Sequence, residues 1–169
     1  MKNDNTMKIW LLTHQRETLK QSNTGQLVQQ QLGPDCETII WQRKQAEPRL
    51  LSLLEENNIA LLYPQSELQK LKHKHEDQSS DDTNQHYENF VIIDSTWQQA
   101  KKIMNKSPYL QAMPSLALQV DQPSAYKLRR NQKTEGLCTA EVAIALLKQH
   151  QQVTQAEKLL AAFEDFNQR

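Results

Sequence analysis

Short apolar runs alternate along the chain with longer stretches whose apolar residues recur at helical spacing. Lys8 to Thr13 holds four consecutive apolar residues, Ile9 to Leu12, and predicts a buried first strand. A polar segment, His14 to Asn23, follows. Asn23 or Thr24 then caps a short helix through Leu32, which Gly33-Pro34 stops. Glu37 to Trp41 is rich in β-branched residues and predicts a second strand. Pro48 suits the first turn of a helix over Arg49 to Asn57, with Leu50, Leu51, Leu53 and Leu54 mostly on one side. Ile59 to Tyr63 predicts a third strand, closed by Pro64, and Ser66 to His75 a short amphipathic helix. Phe90 to Asp94 predicts a fourth strand. The helix after it runs from Thr96 to about Lys106, with Ser95 and Gln98 at capping-box spacing. Leu116 to Val120 predicts a fifth strand, and Ala140 to His150 and roughly Gln155 to Phe166 two closing helices. This alternation indicates the α/β class: a mainly parallel sheet with helices on both faces.

A length of 169 residues fits a single domain, 1–169, able to bury a real core. Within it the acidic stretch at about 76–89 lacks periodicity and reads as a surface loop. Lys plus Arg equals Asp plus Glu, 20 each, so a generally basic nucleic-acid binder is excluded. The charge is nevertheless uneven. Trp97 to Lys133 carries seven basic residues and one acid, Asp121, whereas Glu76 to Glu88 carries five acids and no Lys or Arg. That asymmetry fits either a local phosphate-binding face or ordinary solvated helix surfaces. Cys36 and Cys138 stand far apart, in no disulfide or zinc spacing. His73-Lys74-His75 has no further ligand at a suggestive distance, so no metal is expected. The polar start and the lack of a long apolar run lead to an expectation of a cytoplasmic protein without a membrane span.

The residue with the most chemical content is Asp94. It ends a strand and precedes a helix, which places a carboxylate at the carboxyl edge of the sheet, where open α/β folds hold their ligands. Such an aspartate can also simply bond the first-turn amides of its helix. Action as a general base would require burial or a nearby charge to raise its ordinary pKa of about 3.9. Trp97, in the first helical turn, offers either core packing or a flat wall for a base or a sulfonium. Lys101 lies one turn further along the same face. Tyr126-Lys127-Leu128-Arg129-Arg130 mixes an aromatic with cations, as base-stacking, phosphate-gripping surfaces do. Leu137-Cys138-Thr139-Ala140-Glu141 opens a helix whose amides could hold an anion, or whose Thr139 is a plain cap. His14 follows the first strand at the sheet edge. It could carry a proton, although a satisfied loop histidine is the commoner outcome.

Taken in order, these segments resemble the DTW-domain family, the tRNA-uridine aminocarboxypropyltransferases. The matching residues are Leu11-Leu12-Thr13-His14 with Glu17, Ser22-Asn23-Thr24-Gly25, Trp41 with Arg43, Leu62-Tyr63-Pro64 and Asp94-Ser95-Thr96-Trp97-Gln98-Gln99-Ala100-Lys101. They continue with Ser107-Pro108-Tyr109-Leu110, Tyr126-Lys127-Leu128-Arg129 and Cys138-Thr139-Ala140-Glu141-Val142-Ala143. Ser95 stands where the family usually has Gly, and Lys127 where Arg is common. The Cys-rich segment that opens many bacterial members is not seen, which would make this a shorter paralogue.

The resemblance implies a fold similar to the SPOUT methyltransferases, with a C-terminal trefoil knot. It implies transfer of the 3-amino-3-carboxypropyl group of S-adenosylmethionine to N3 of a uridine in tRNA, in the variable loop, with methylthioadenosine leaving. On the residues of this chain, Asp94 would be the base and Trp97 would shape the pocket. Leu62, Tyr63, Pro64, Thr96, Trp97, Leu137, Thr139 and Glu141 would hold the donor. Lys101, Lys127, Arg129 and Arg130 would grip RNA phosphates. The competing readings are methyl transfer to RNA from the same donor, a non-catalytic RNA-binding module, and, last, hydrolysis of a small nucleotide.

Overall fold

The alternation of side chains along β1 (Lys8–Thr13) divides the core in two. Ile9 and Leu11 join one buried cluster, Trp10 and Leu12 the other. The computed structural model describes residues 7–18, 20, 23–63, 86–116 and 138–168. Among them, β1 is joined by β2 (Cys36–Ile40), β3 (Ile59–Leu62), β4 (Asn89–Asp94) and β5 (Ser115–Leu116) in one sheet of order β2-β1-β4-β3-β5. Every pairing is parallel. Six α-helices are described: α1 (Gly25–Leu32), α2 (Pro48–Glu55), α3 (Trp97–Asn105), α4 (Pro108–Gln111), α5 (Thr139–Gln149) and α6 (Val153–Asn167).

Helices cover both faces, because a parallel sheet with two apolar faces must bury both. Val28 and Leu32 of α1, Ala143 and Leu147 of α5, and Leu159 and Phe163 of α6 pack with Ile9, Leu11, Phe90 and Ile92. Leu50 of α2, Ile103 and Met104 of α3, and Leu110 of α4 pack with Trp10, Leu12, Leu61 and Val91. Gly33 ends α1 with φ +55°, a left-handed conformation that glycine adopts without strain.

The expected strands and helices are present wherever the chain is described, with shifted ends. β2 starts at Cys36 and stops at Ile40, so Trp41 lies just past the strand. Helix α3 is capped by Thr96, and the capping-box pair is Thr96 with Gln99 rather than Ser95 with Gln98. The Thr96 hydroxyl accepts from the Gln99 amide at 3.2 Å, and the Gln99 side chain accepts from the Thr96 amide at 2.9 Å. The fourth strand starts one residue earlier than expected, and of the acidic stretch at about 76–89 only the end, from His86, is described. Tyr87 is buried, the Glu88 amide donates to Asn58 Oδ1 at 2.8 Å, and Asn89 already belongs to β4. The short helix α4, with Pro108 in its first turn, was not expected. The helix expected over 66–75 and the fifth strand beyond Leu116 fall outside the described residues, as does 117–137. The described residues do not show the SPOUT-like arrangement or the trefoil knot.

The topology selects one edge for function. From β1 the chain moves outward to β2, and from β4 it moves the opposite way, past β3, to β5. The connections therefore diverge between the carboxyl ends of β1 and β4, which is where open α/β sheets form their binding crevice. Thr13 and Asp94 are register partners there.

Candidate functional site

At the end of β4 the chain turns into α3, and Asp94 points into the space beside the starts of α1 and α5. Its side chain is buried, with the residue 5 % exposed. Thr139, the first residue of α5, donates its hydroxyl to Asp94 Oδ1 at 2.8 Å. Thr13 Oγ1 lies 3.4 Å from Oδ2, a longer contact. A hydrogen bond from Asn23 also acts on the carboxyl. The Asn23 side chain in turn accepts from the Gly25 amide at 2.7 Å and donates to the Glu17 carbonyl at 2.9 Å.

Gly25 opens α1 directly against this carboxylate. A Cβ there would stand 2.3 Å from Asp94 Oδ2, a distance no side chain tolerates. Thr24 completes the junction by accepting from the Ala140 amide at 3.1 Å, which ties the start of α1 to the start of α5. Two positive helix ends thus converge on one carboxylate.

Burial raises the proton affinity of Asp94 above the ordinary carboxylate value. Hydrogen bonds from Thr139 and Asn23 oppose that rise, and the negative charge of Glu17 adds to it. Glu17 is itself buried and paired with Lys20 at 2.7 Å. Burial also pushes the thiols of Cys36 and Cys138 up to about 12, so both are protonated at neutral pH and neither is an activated nucleophile. Among the described residues no group of three or more His, Cys, Asp or Glu could hold a metal ion. No helix among them is long and apolar enough to cross a membrane.

One family model, described as DTW domain, matches residues 1–169. The chain belongs to the DTW-domain family. Membership is consistent with a tRNA-modifying enzyme. No solved structure matches the chain.

The tetrapeptide Asp94-Ser95-Thr96-Trp97 of this DTW domain divides its labour. Asp94 joins α1 to α5, Ser95 makes the turn and bonds the Thr96 carbonyl at 3.0 Å, Thr96 caps α3, and Trp97 opens it. Of the other residues expected at the site, Leu62 ends β3, beside β4, and is buried. Tyr63 is buried in the cluster that α2 and α3 cover. Glu141 accepts from the Cys138 amide at 3.0 Å, which caps its own helix. Lys101 is half-buried on α3. Pro64, Lys127, Arg129, Arg130 and Leu137 lie outside the described residues, as does the Trp97 side chain.

Thr13, Asn23, Thr24 and Gly25 shape the DTW site; the sequence grouped them at this sheet edge but assigned them no contact with Asp94. Their available signal was position: Thr13 ends the predicted first strand and the other three stand in the polar stretch that follows it.

Proposed function

We propose that this DTW-domain protein transfers the 3-amino-3-carboxypropyl group of S-adenosylmethionine to N3 of a tRNA uridine, in the variable loop, and releases methylthioadenosine. One observation carries the reading. In a chain matched from end to end by the DTW family, the acid of the D-x-T-W tetrapeptide stands at the topological switch point of the sheet.

The residues fit the donor in charge. A cationic sulfonium suits an edge that holds the carboxylate of Asp94. When bound, S-adenosylmethionine supplies an alkyl carbon made electrophilic by its sulfonium. Leu62, Tyr63, Pro64, Thr96, Trp97, Leu137, Thr139 and Glu141 are the proposed donor-holding set. Within it, Thr139 acts by fixing the Asp94 carboxylate.

Uridine N3 must lose its proton, and Asp94 is the proposed acceptor, at Oδ2, the oxygen with the longer contact. Its raised proton affinity supports this role. Asp94 is 5 % exposed, so action as a base requires the site to open; in the closed form the same carboxylate aligns α1 and α5.

Lys101, Lys127, Arg129 and Arg130 are the proposed phosphate grip. A tRNA substrate would place the protein in the cytoplasm.

Donor labelled separately in its methyl and carboxyl groups tests the reaction. Only aminocarboxypropyl transfer carries the carboxyl label into tRNA, whereas methyl transfer carries the other. The burial of Asp94 favours one second reading, a DTW domain that binds RNA without catalysis, for which neither label moves. Asp94→Asn then separates the two roles of the acid. A base assignment predicts lost turnover with donor affinity retained. A positioning role predicts that affinity and folding stability fall together.

A further inference from the structure

Beyond β1 and β2, at the same end of the sheet as Asp94, stands an aromatic pair that the reaction above does not use. β1 continues into His14, whose amide donates to the Asp94 carbonyl at 3.3 Å. β2 continues into Trp41, whose amide donates to the Thr13 carbonyl at 2.9 Å. The two rings stack with centroids 6.1 Å apart and planes 26° from parallel, inside the range of offset aromatic pairs.

Both rings are fixed. Trp41 Nε1 donates to Ser107 Oγ at 2.8 Å, and the Ser107 side chain is buried. His14 Nδ1 accepts from the Arg16 amide at 3.1 Å. Burial, followed by the charge of Arg16, lowers the pKa of His14, so the ring is neutral at neutral pH. With Nδ1 accepting, the hydrogen of the neutral imidazole sits on Nε2, a donor suited to a carbonyl oxygen. Both side chains are half-buried, and each leaves surface to solvent.

The surroundings are basic. Arg16, Lys20 and Lys102 are exposed, and all three act on the charge state of His14. Arg43 and Lys44 form the exposed tip of the turn that the Gln42–Gln45 bridge closes, directly after Trp41. The nearby acids are neutralised locally, Glu17 by Lys20 and Glu47 by Arg49, each at 2.7 Å. A small cavity of about 80 Å³ borders Trp41, Glu47 and Tyr109. That is far below the roughly 300 Å³ at which ligand pockets begin, so this edge offers a platform rather than an enclosed donor site.

We propose that Trp41 and His14 form a stacking platform for a single-stranded RNA base next to the target uridine, with Arg16, Arg43, Lys44 and Lys102 gripping the flanking phosphates. Rigid aromatic surface beside cations is the combination that holds unpaired bases. His14 follows the strand next to β4 and Trp41 the strand beyond it, about 4.8 Å per strand, at the same end of the sheet as Asp94 but on its α2–α3 face. The assignment rests on the tRNA reading above.

The test measures tRNA affinity at fixed salt for the full chain and its variants, together with cross-linking from 5-iodouridine placed at positions around the modified site. His14→Ala and Trp41→Ala are each expected to weaken binding about tenfold, the scale for a base that loses its aromatic partner. Trp41→Phe should restore most of the loss, since it keeps a ring while losing the Ser107 bond. Should Trp41→Ala fail to fold, His14→Ala and Trp41→Phe still decide. Cross-links are expected in the peptides containing His14 or Trp41. Unchanged affinity in both alanine variants, or cross-links confined to other peptides, overturns the platform. The outcome is separable from the chemistry. Carboxyl label in tRNA with no effect of these variants removes the platform and keeps the transferase. Binding that depends on Trp41 and His14 without any label transfer keeps the platform and removes the transferase.

Discussion

A methyl group on Gly25 would meet Asp94 Oδ2 at 2.3 Å and Cγ at 2.8 Å. Neither α1, held by Thr24 and Asn23, nor the buried carboxylate has an easy retreat. Gly25→Ala is therefore expected to destabilise the fold by about 1–3 kcal/mol, the scale of an overpacked core. Urea unfolding would read this as a lower midpoint at unchanged slope. Asp94 also predicts a pH dependence. Its pKa is raised by burial, so between the ordinary carboxylate range and its native value the folded chain binds more protons than the unfolded one. Stability then falls as pH rises through that window and levels off above it. Asp94→Asn does not titrate, so its stability deficit relative to the parent should shrink from acid toward neutral pH. A deficit that widened would mean an anion favoured by the two helix ends. Sequence placed Asp94 at the sheet edge because four β-formers precede it. It could not show that the side chain turns inward, since that depends on Gly25 and Thr139, which lie distant in the chain.

Elements were legible where their pattern was local. The apolar runs of β1, β3 and β4 marked strands because both faces of a parallel sheet are buried. Their ends were less legible, because strand ends follow from pairing partners: Ile9 of β1 pairs with Cys36, which draws that residue into β2. The cap of α3 was misplaced by one residue because Ser95–Gln98 and Thr96–Gln99 have the same spacing and both pairs are chemically competent. Backbone geometry decides between them, since Thr96 has the extended conformation of an N-cap. Thr96→Ala is expected to lower stability by about 1 kcal/mol, visible as a reduced thermal midpoint, and Gln99→Ala by less because it removes the reciprocal bond alone. α4 was missed because four residues are too few to show a period. Its evidence is Pro108 at the first helical turn and the fully buried Leu110.

For the molecule as a whole, neutrality conceals a polarised distribution. The proposed RNA grip draws on cations concentrated between Lys101 and Arg130, and the platform on Arg16, Arg43, Lys44 and Lys102, while the acids of Glu76 to Glu88 lie elsewhere in the sequence. Arg129→Ala with Arg130→Ala is expected to weaken tRNA binding and to lower the salt slope by about 0.7–0.9 per lost phosphate contact. Titration of binding across salt concentrations checks it, and an unchanged slope would remove both from the RNA face. The core carries a further consequence. Val28 and Leu32 of α1 share a buried cluster with Ala156, Leu159 and Phe163 of α6, more than a hundred residues further along the chain. Until α6 docks, a chain in which α1 has formed exposes aliphatic surface that it cannot hide by itself. A partly folded chain lacking that closure is therefore the form most prone to aggregate and most apt to be held by a chaperone.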